Sequence, residues 1–137
     1  MNFFEAAGNL HSHTPYSDGA LYHRDLARAA LKAGLDFVIV TDHNVRVQGP
    51  EGYYIDRTSG HILLLIGEEI HDLTRQPQCN HLLVFGAQKE LAPLASNAQD
   101  LIDSVNEAGG LCFLALPFEI AAPAIGEPET IPWQNWE

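Results

Sequence analysis

Basic residues are scarce in this sequence. Lys and Arg together number 7, against 18 Asp and Glu, which leaves a formal net charge of -11 at pH 7. Because proteins bind nucleic-acid backbones through clustered Lys and Arg, we expect no nucleic-acid partner. Long apolar runs are also missing, since none approaches the ~20 residues that a membrane-spanning helix needs. We therefore expect no membrane association.

Cysteine is nearly absent. The two cysteines, Cys79 and Cys112, lie far apart and form no Cys-x-x-Cys pattern. We therefore expect both to be reduced thiols in a cytoplasmic protein. The first residues, Met1 to Glu5, also lack the basic region that opens a signal peptide.

The length and composition predict one domain. A chain of 137 residues with 46% hydrophobic and 18% charged residues can bury one core, and we expect a single domain over residues 1–137. From about residue 118 onward, repeated prolines predict an irregular tail. Histidine is comparatively abundant, with seven residues against seven Lys plus Arg, and this balance favours metal binding.

The order of the predicted elements indicates an α/β protein. Short apolar runs predict strands at 3–10, 37–40, 62–66, 82–85 and 111–115. Helical periodicity predicts one helix over 22–33 and a second from a capping box at Ser96 and Gln99 to Gly109. Residues 45–60 are predicted as loop and hairpin. The initial strand, helix and strand form a βαβ unit, so we expect mostly parallel strands.

Three clusters of potential metal ligands follow predicted strands: His11 and His13 with Asp18, then Asp42 and His43, then Glu68 and Glu69. Alternate residues of an extended segment point to one side, so His11 and His13 can aim two imidazoles at one point. In a parallel α/β barrel the C-terminal strand ends meet at one face, where such clusters would converge. His81 precedes its strand, so that strand either runs the other way or receives a ligand-bearing loop.

In their order and spacing these residues resemble the polymerase-and-histidinol-phosphatase (PHP) domain family of metal-dependent phosphoesterases. The matching pieces are His11-x-His13 with Ser17-Asp18-Gly19, Thr41-Asp42-His43, Gly67-Glu68-Glu69-Ile70 and Asn80-His81-Leu82-Leu83. The resemblance implies a partial (β/α)7-type barrel with mostly parallel strands. It also implies a cluster of up to three divalent ions, for which zinc, manganese and iron are the candidates.

The resemblance further implies a role for each matching residue. The implied metal ligands are His11 and His13 on one ion, Asp18 and His43 on another, Glu69 as a bridge between two ions, and His81 on the bridged pair. Asp18, His43 and Glu69 are the implied catalytic residues. Glu68 competes with Glu69 for the bridging position, because side-chain alternation lets only one of the two face the site.

Two departures from the family pattern predict a reduced metal centre. Leu116 precedes Pro117 where the family usually has a histidine, and leucine cannot ligate a metal. The family also places an Asp-x-His pair near its C-terminus, and no such pair follows Pro117 in this sequence. We therefore expect fewer ions, a barrel with one open side, and a homo-oligomer that covers the apolar surface there.

The activity implied by the resemblance is hydrolysis of a small phosphate ester by a metal-activated water, without a protein nucleophile. Two alternatives stay open. One is a metal-binding relative of the family that has lost turnover. The other is an amidohydrolase-like enzyme that applies a similar ligand set to a carbonyl substrate.

Four further residues carry separate expectations. Asp42 is expected to orient a histidine without binding metal, and His23 is expected to face solvent. His71 follows the two glutamates closely and could approach the site. Arg46, just past His43, is expected to be a solvated loop residue, with contact to a phosphate as the alternative.

Overall fold

The structure is a computed structural model that describes residues 3–75, 78 and 80–115. Cys79, Leu116 and the predicted tail from about residue 118 lie outside these ranges, so the expectations for them stay predictions. Contacts between Cα atoms divide the chain into two units, Met1–Glu68 and Glu69–Glu137.

The first unit contains a four-stranded sheet with the order β1-β2-β4-β3. Its strands are β1 (Gly8–Asn9), β2 (Phe37–Val40), β3 (Gly52–Asp56) and β4 (Gly60–Ile66). β2 pairs in parallel with both β1 and β4, whereas β3 and β4 form an antiparallel hairpin. The predicted strands at 37–40 and 62–66 and the predicted hairpin are confirmed.

The first strand is much shorter than the predicted segment 3–10. Only Gly8–Asn9 pairs with β2, and Gly8 lies opposite Phe37. Phe3 and Phe4 are 89% and 93% exposed. Their apolar character predicted a strand, but residues 3–7 form no strand with β2.

Helix α1 (His23–Lys32) connects β1 to β2 and packs on the sheet of the first unit. Tyr22 and Ala33 are its cap residues, so the helix predicted over 22–33 is confirmed. Ala27 and Ala30 are buried against apolar side chains of β2 and β4. This packing, more than intrinsic propensity, stabilises a ten-residue helix, because isolated helices of that length are marginal in water.

His23 is buried, so the expectation that it faces solvent is wrong. It lies four residues before Ala27 and seven before Ala30, on the helix face that packs on the sheet. Its ring centroid is 5.7 Å from that of Tyr16, and its buried Nε2 has no hydrogen-bond partner among the described residues. Burial lowers the pKa of His23, while the charge of Asp42 partly opposes that effect.

The second sheet has the order β5-β6-β7. Its strands are β5 (Glu68–Ile70), β6 (Leu82–Phe85) and β7 (Leu111–Leu114). The predicted strand at 82–85 is confirmed. β6 and β7 are antiparallel, with Val84 opposite Cys112. Cys112 is a free, half-buried thiol, and its burial raises the pKa of the thiol.

The last apolar run forms β7 at an edge of the second sheet, but it is not a buried strand. Leu111 and Phe113 are 63% and 51% exposed. Gly110 lies immediately before this strand, where an added Cβ would come within 2.8 Å of Phe85 O. That close backbone approach therefore requires glycine at the start of β7.

Helix α2 (Ala98–Glu107) precedes β7, as predicted, and buries Leu101 and Val105. Its N-cap is Asn97, so the capping box predicted at Ser96 is wrong by one residue. The Asn97 side chain accepts hydrogen bonds from the backbone N–H groups of Gln99 and Asp100, which satisfies two of the helix's first donors.

The fold class is therefore mixed α/β with parallel strands in the first sheet. In the part of the chain that the structure describes, the strands form two separate sheets and no closed barrel. The β3–β4 and β6–β7 pairs are antiparallel, so the expectation of mostly parallel strands holds only for the first sheet. None of the helices that the structure describes has the length and apolar character that crossing a bilayer would require.

Candidate metal centre

The segment after β1, residues 11–19, lies beside the C-terminal end of β2. The Thr41 N–H donates a 2.7 Å hydrogen bond to the carbonyl of Ser12, which continues the alignment of the two strands beyond β1. The cluster of His11 and His13 and the cluster of Asp42 and His43 therefore follow neighbouring parallel strands, as the predicted βαβ unit requires.

A tight turn shapes the rest of this segment. The N–H groups of Ser17 and Gly19 both donate to the carbonyl of Thr14, each at 3.0 Å. A Cβ at Gly19 would overlap the carbonyl of His13 and come within 2.6 Å of Thr14 N. The glycine in the Ser-Asp-Gly motif is therefore required by the close backbone approach that folds the turn back on the histidine pair.

Asp42 anchors this turn. It is 1% exposed, and its carboxylate accepts three hydrogen bonds: 2.6 Å from Thr14 N, 2.6 Å from Thr14 Oγ1 and 2.7 Å from Ser17 Oγ. These bonds go to the turn, so any effect of Asp42 on a histidine passes through Ser17, and the expectation that Asp42 orients a histidine stays a prediction. Buried carboxylates need such donors to offset their lost hydration.

Ser17 links Asp42 to His13. Its hydroxyl has one proton and donates it to Asp42 over 2.7 Å. The Ser17 oxygen and Asp18 Oδ1 each lie 3.3 Å from His13 Nδ1, and both can accept a proton from it. We infer the tautomer of His13 that is protonated on Nδ1, which leaves the Nε2 lone pair available as a ligand.

Three potential ligands of the first unit lie together: His13, Asp18 and His43. One ligand atom from each lies within 4.8 Å of the other two. Asp18 Oδ1 is 3.3 Å from His13 Nδ1, and Asp18 Oδ2 is 3.6 Å from His43 Nε2. Their side chains are 20%, 68% and 24% exposed, in that order. Imidazole and carboxylate ligands in this arrangement suit a divalent transition metal that solvent can reach.

The spacing of His11 and His13 fits the metal that the family resemblance implies. Their Nε2 atoms are 2.9 Å apart. Two ligands at about 2.1 Å from one ion lie roughly 3.0 to 3.4 Å apart, depending on the ligand angle. The observed spacing is close to that range, so both imidazoles can bind one ion with little movement.

The second unit brings Glu69 and His81 together. Glu69 Oε1 lies 2.9 Å from His81 Nδ1, and their side chains are 1% and 10% exposed. Glu68 is also 1% exposed. Glu69 thus contacts the predicted histidine ligand His81. A carboxylate on Nδ1 fixes the orientation of an imidazole and raises its basicity as a metal ligand.

His71 is a member of this buried group. It is 3% exposed, and its ring stacks on that of His81 with centroids 4.7 Å apart and planes inclined by 12°. The sequence contained a signal for this position, because residues 69 and 71 fall on the same side of an extended segment.

Arg46 is not a solvated loop residue. Its side chain is only 11% exposed, and its guanidinium lies 3.9 Å from the Glu51 carboxylate. Burial of a guanidinium requires compensation by acceptors. The expectation of a solvated loop residue is therefore wrong, and the alternative of a phosphate contact stays a prediction.

Comparison with known proteins identifies the family. The PHP domain model matches residues 9–109. An uncharacterized protein of Methanocaldococcus jannaschii is 27% identical over 130 residues, which cover 87% of this chain and 72% of that protein. The DNA polymerase/3′-5′ exonuclease PolX of Bacillus subtilis is 36% identical over 50 residues, which cover 36% of this chain but only 9% of the polymerase.

One solved structure is also similar to the chain. It is a candidate metal-dependent phosphoesterase of Bifidobacterium adolescentis, with 25% sequence identity and a TM-score of 0.47. The match covers 70% of this chain and 33% of that structure. The family model alone spans well over half of the sequence. The chain therefore belongs to the PHP domain family of metal-dependent hydrolases.

Proposed function

We propose that this chain is a metal-dependent phosphoesterase that hydrolyses a small phosphate ester with a metal-activated water. The cluster of His13, Asp18 and His43 carries the proposal, since its ligand atoms converge within 4.8 Å at a solvent-accessible place. Bound divalent ions would supply an activated water and neutralise charge on the phosphoryl oxygens. Zinc, manganese and iron all accept such ligands.

The protein's own groups bind and orient in this proposal. The proposed ligands are the six residues that the family resemblance implies: His11, His13, Asp18, His43, Glu69 and His81. Asp18, His43 and Glu69 take the catalytic positions. Ser17 positions His13 by accepting its Nδ1 proton, and Glu69 positions His81 across 2.9 Å. Because Leu116 replaces an expected histidine, we propose fewer than three ions per chain.

Metal content and phosphate release from p-nitrophenyl phosphate test the proposal together. We expect at least one divalent ion per chain by elemental analysis, together with metal-dependent phosphate release. His13→Ala should lower the metal content and the rate. His61→Ala is the matched control, because His61 is an exposed histidine at the start of β4 and should change neither quantity.

The outcome for His13→Ala decides the ligand assignment. If this variant keeps the metal content of the unmodified protein, His13 is not a ligand. If it loses metal and keeps full phosphatase activity, the metal is not the catalyst. Both results would contradict the proposal, and each does so at a different step.

A metal-binding protein without turnover is the second candidate. Leu116 in place of the expected histidine favours it, because a missing ligand weakens metal binding at one position of the site. Full metal content without phosphate release from several esters would support this candidate. Hydrolysis of amide or lactone substrates without phosphatase activity would instead support the amidohydrolase-like alternative.

We also propose that the chain forms a homo-oligomer. The exposed apolar residues Leu111 and Phe113 on β7 support this proposal, because β7 lies at the edge of its sheet and exposed apolar edges favour association. Light scattering at micromolar concentration should give a multiple of the 15.1 kDa chain mass. A monomer mass would contradict the proposal.

A further inference from the structure

Cationic side chains are concentrated in one part of the first unit. Three of the seven Lys and Arg residues lie at intervals of four along α1: Arg24, Arg28 and Lys32. Residues four apart on a helix are neighbours on one side. Arg57 lies in the turn between β3 and β4, and α1 contacts both of these strands. Four of the seven cationic residues of an acidic chain therefore lie on one helix and the hairpin beside it.

A cleft of about 320 Å³ lies between α1 and the hairpin. Arg24, Arg28 and Arg57 line it, together with the apolar side chains of Leu31 and Ile62. Its volume falls at the lower end of the range for small-molecule sites, which are mostly apolar with a few polar groups that orient the ligand. Three guanidinium groups in one such cleft favour an anionic ligand.

The cationic groups of the cleft are available to a ligand. Arg24 and Arg57 form no hydrogen bond or ion pair with the residues that the structure describes. Arg28 contacts Asp25 at 3.3 Å, but both side chains are about half exposed, so this pair holds Arg28 weakly. A ligand anion can therefore approach these arginines without breaking a buried interaction.

The one acidic residue that lines the cleft, Asp56, is already bound within its own turn. Its carboxylate accepts hydrogen bonds from Thr58 Oγ1 at 2.6 Å, Thr58 N at 2.9 Å and Ser59 N at 3.0 Å. These donors, with the Thr58 hydroxyl first, lower the pKa of Asp56 to about 2. The Asp56 carboxylate therefore forms its hydrogen bonds within the hairpin turn and no ion pair with Arg57.

We propose that this cleft is a binding site for a small organic phosphate. Guanidinium groups form paired hydrogen bonds with phosphate oxygens, and the apolar residues Leu31 and Ile62 can contact the carbon portion of the ligand. The small volume of the cleft favours a small molecule over a polymer. The net charge of -11 likewise disfavours a nucleic acid.

This site is separate from the candidate metal centre of the first unit. In the register of the sheet, Val40 lies opposite Ile66 at the end of β4, and His43 follows Val40 shortly after. The cleft borders the opposite end of β4, next to the turn that precedes Gly60. The proposal therefore does not depend on the phosphoesterase activity proposed above.

Calorimetric titration with adenosine monophosphate, in the presence of chelator, tests the site without interference from bound metal. We expect saturable binding to the unmodified chain. The double variant Arg24→Ala/Arg57→Ala should weaken it at least roughly tenfold, because hydrogen bonds between charged groups are lost. Lys89→Ala controls for the loss of a cationic side chain elsewhere, since Lys89 is exposed in the second unit and should have no effect.

Two further measurements identify the ligand group and the site. Citrate tests carboxylates: if it binds more tightly than adenosine monophosphate, the phosphate assignment is wrong. His13→Ala should bind adenosine monophosphate like the unmodified chain, and lost binding would place the ligand at the metal centre instead. Absent binding by the unmodified chain, or equal binding by the double variant, would overturn the proposal. Because both arginines are exposed, their replacement should leave the far-ultraviolet circular dichroism spectrum unchanged.

Discussion

Replacing Asp42 with alanine should destabilise the first unit strongly. The change removes one buried carboxylate and leaves three donors without their acceptor, two on Thr14 and one on Ser17. Hydrogen bonds to a charged acceptor contribute about 1.5 to 3 kcal/mol each, and hydroxyl donors can recover part of this by reorienting. We therefore expect a loss of about 3 to 6 kcal/mol in the free energy of unfolding.

The conservative variant Asp42→Asn separates charge from shape. Asparagine keeps an oxygen for Thr14 N and Ser17 Oγ, and its amide can donate to Thr14 Oγ1 once that hydroxyl reorients. The variant loses only the extra strength of hydrogen bonds to a charged acceptor, so we expect the free energy of unfolding to fall by about 1 to 2 kcal/mol. Both variants should also weaken metal binding, since Ser17 connects Asp42 to His13.

Urea unfolding followed by circular dichroism measures the stability, and elemental analysis after dialysis measures the bound metal. Asp36→Ala is the matched control: this exposed aspartate accepts one hydrogen bond, from Ala7 N at 2.8 Å, and should cost less than about 1 kcal/mol. If Asp42→Ala costs no more than the control, the three-bond anchor does not hold the turn, and the reasoning is refuted.

Three other changes test separate parts of the structure. Burial lowers the pKa of His23 from 6.5, so the contribution of neutral His23 to stability is present above pH 6.5 and is lost as the pH falls. His23→Leu should therefore reduce the drop in urea midpoint between pH 7.5 and pH 5. A drop as large as that of the unmodified chain would contradict this. Gly19→Ala should overlap the His13 carbonyl and lower both urea midpoint and metal content, whereas values equal to the unmodified chain would disprove the tight turn. The lowered pKa of Asp56 contributes stability above pH 3.8 that is lost as the pH falls through about 2. Asp56→Asn should therefore lower the urea midpoint more at pH 7 than at pH 2, and equal midpoints of the variant and the unmodified chain at pH 7 would exclude the Thr58 contribution.

Local signals in the sequence were sufficient for most elements of the fold. The apolar runs at 37–40, 62–66 and 82–85 predicted strands, and the period of α1 predicted its ends to within one residue. Such signals succeed because they depend on the burial pattern within one segment. The strand predicted over 3–10 failed for the same reason, since apolar residues there have no strand partner beyond Gly8–Asn9.

The candidate site was predictable in composition but not in its supporting contacts. The order of the histidine and acidic clusters was enough to identify the family and to nominate His13, Asp18 and His43, which the structure brings together. The partners of Asp42 could not be predicted, because they lie 25 to 28 residues earlier in the sequence. No local pattern specifies which of several nearby donors a buried carboxylate will accept from.

By itself, the sequence determined the helices, the main strands, the acidic charge and the family-specific order of metal-ligand residues. The tertiary structure decided which side chains are buried, which strands are antiparallel and which side chains form hydrogen bonds with one another. His23 shows the physical reason: its place on α1 was predictable, but its burial depends on which helix face packs on the sheet. The cationic cleft has the same origin, because Arg24 and Arg57 line one cleft only when the hairpin folds against α1.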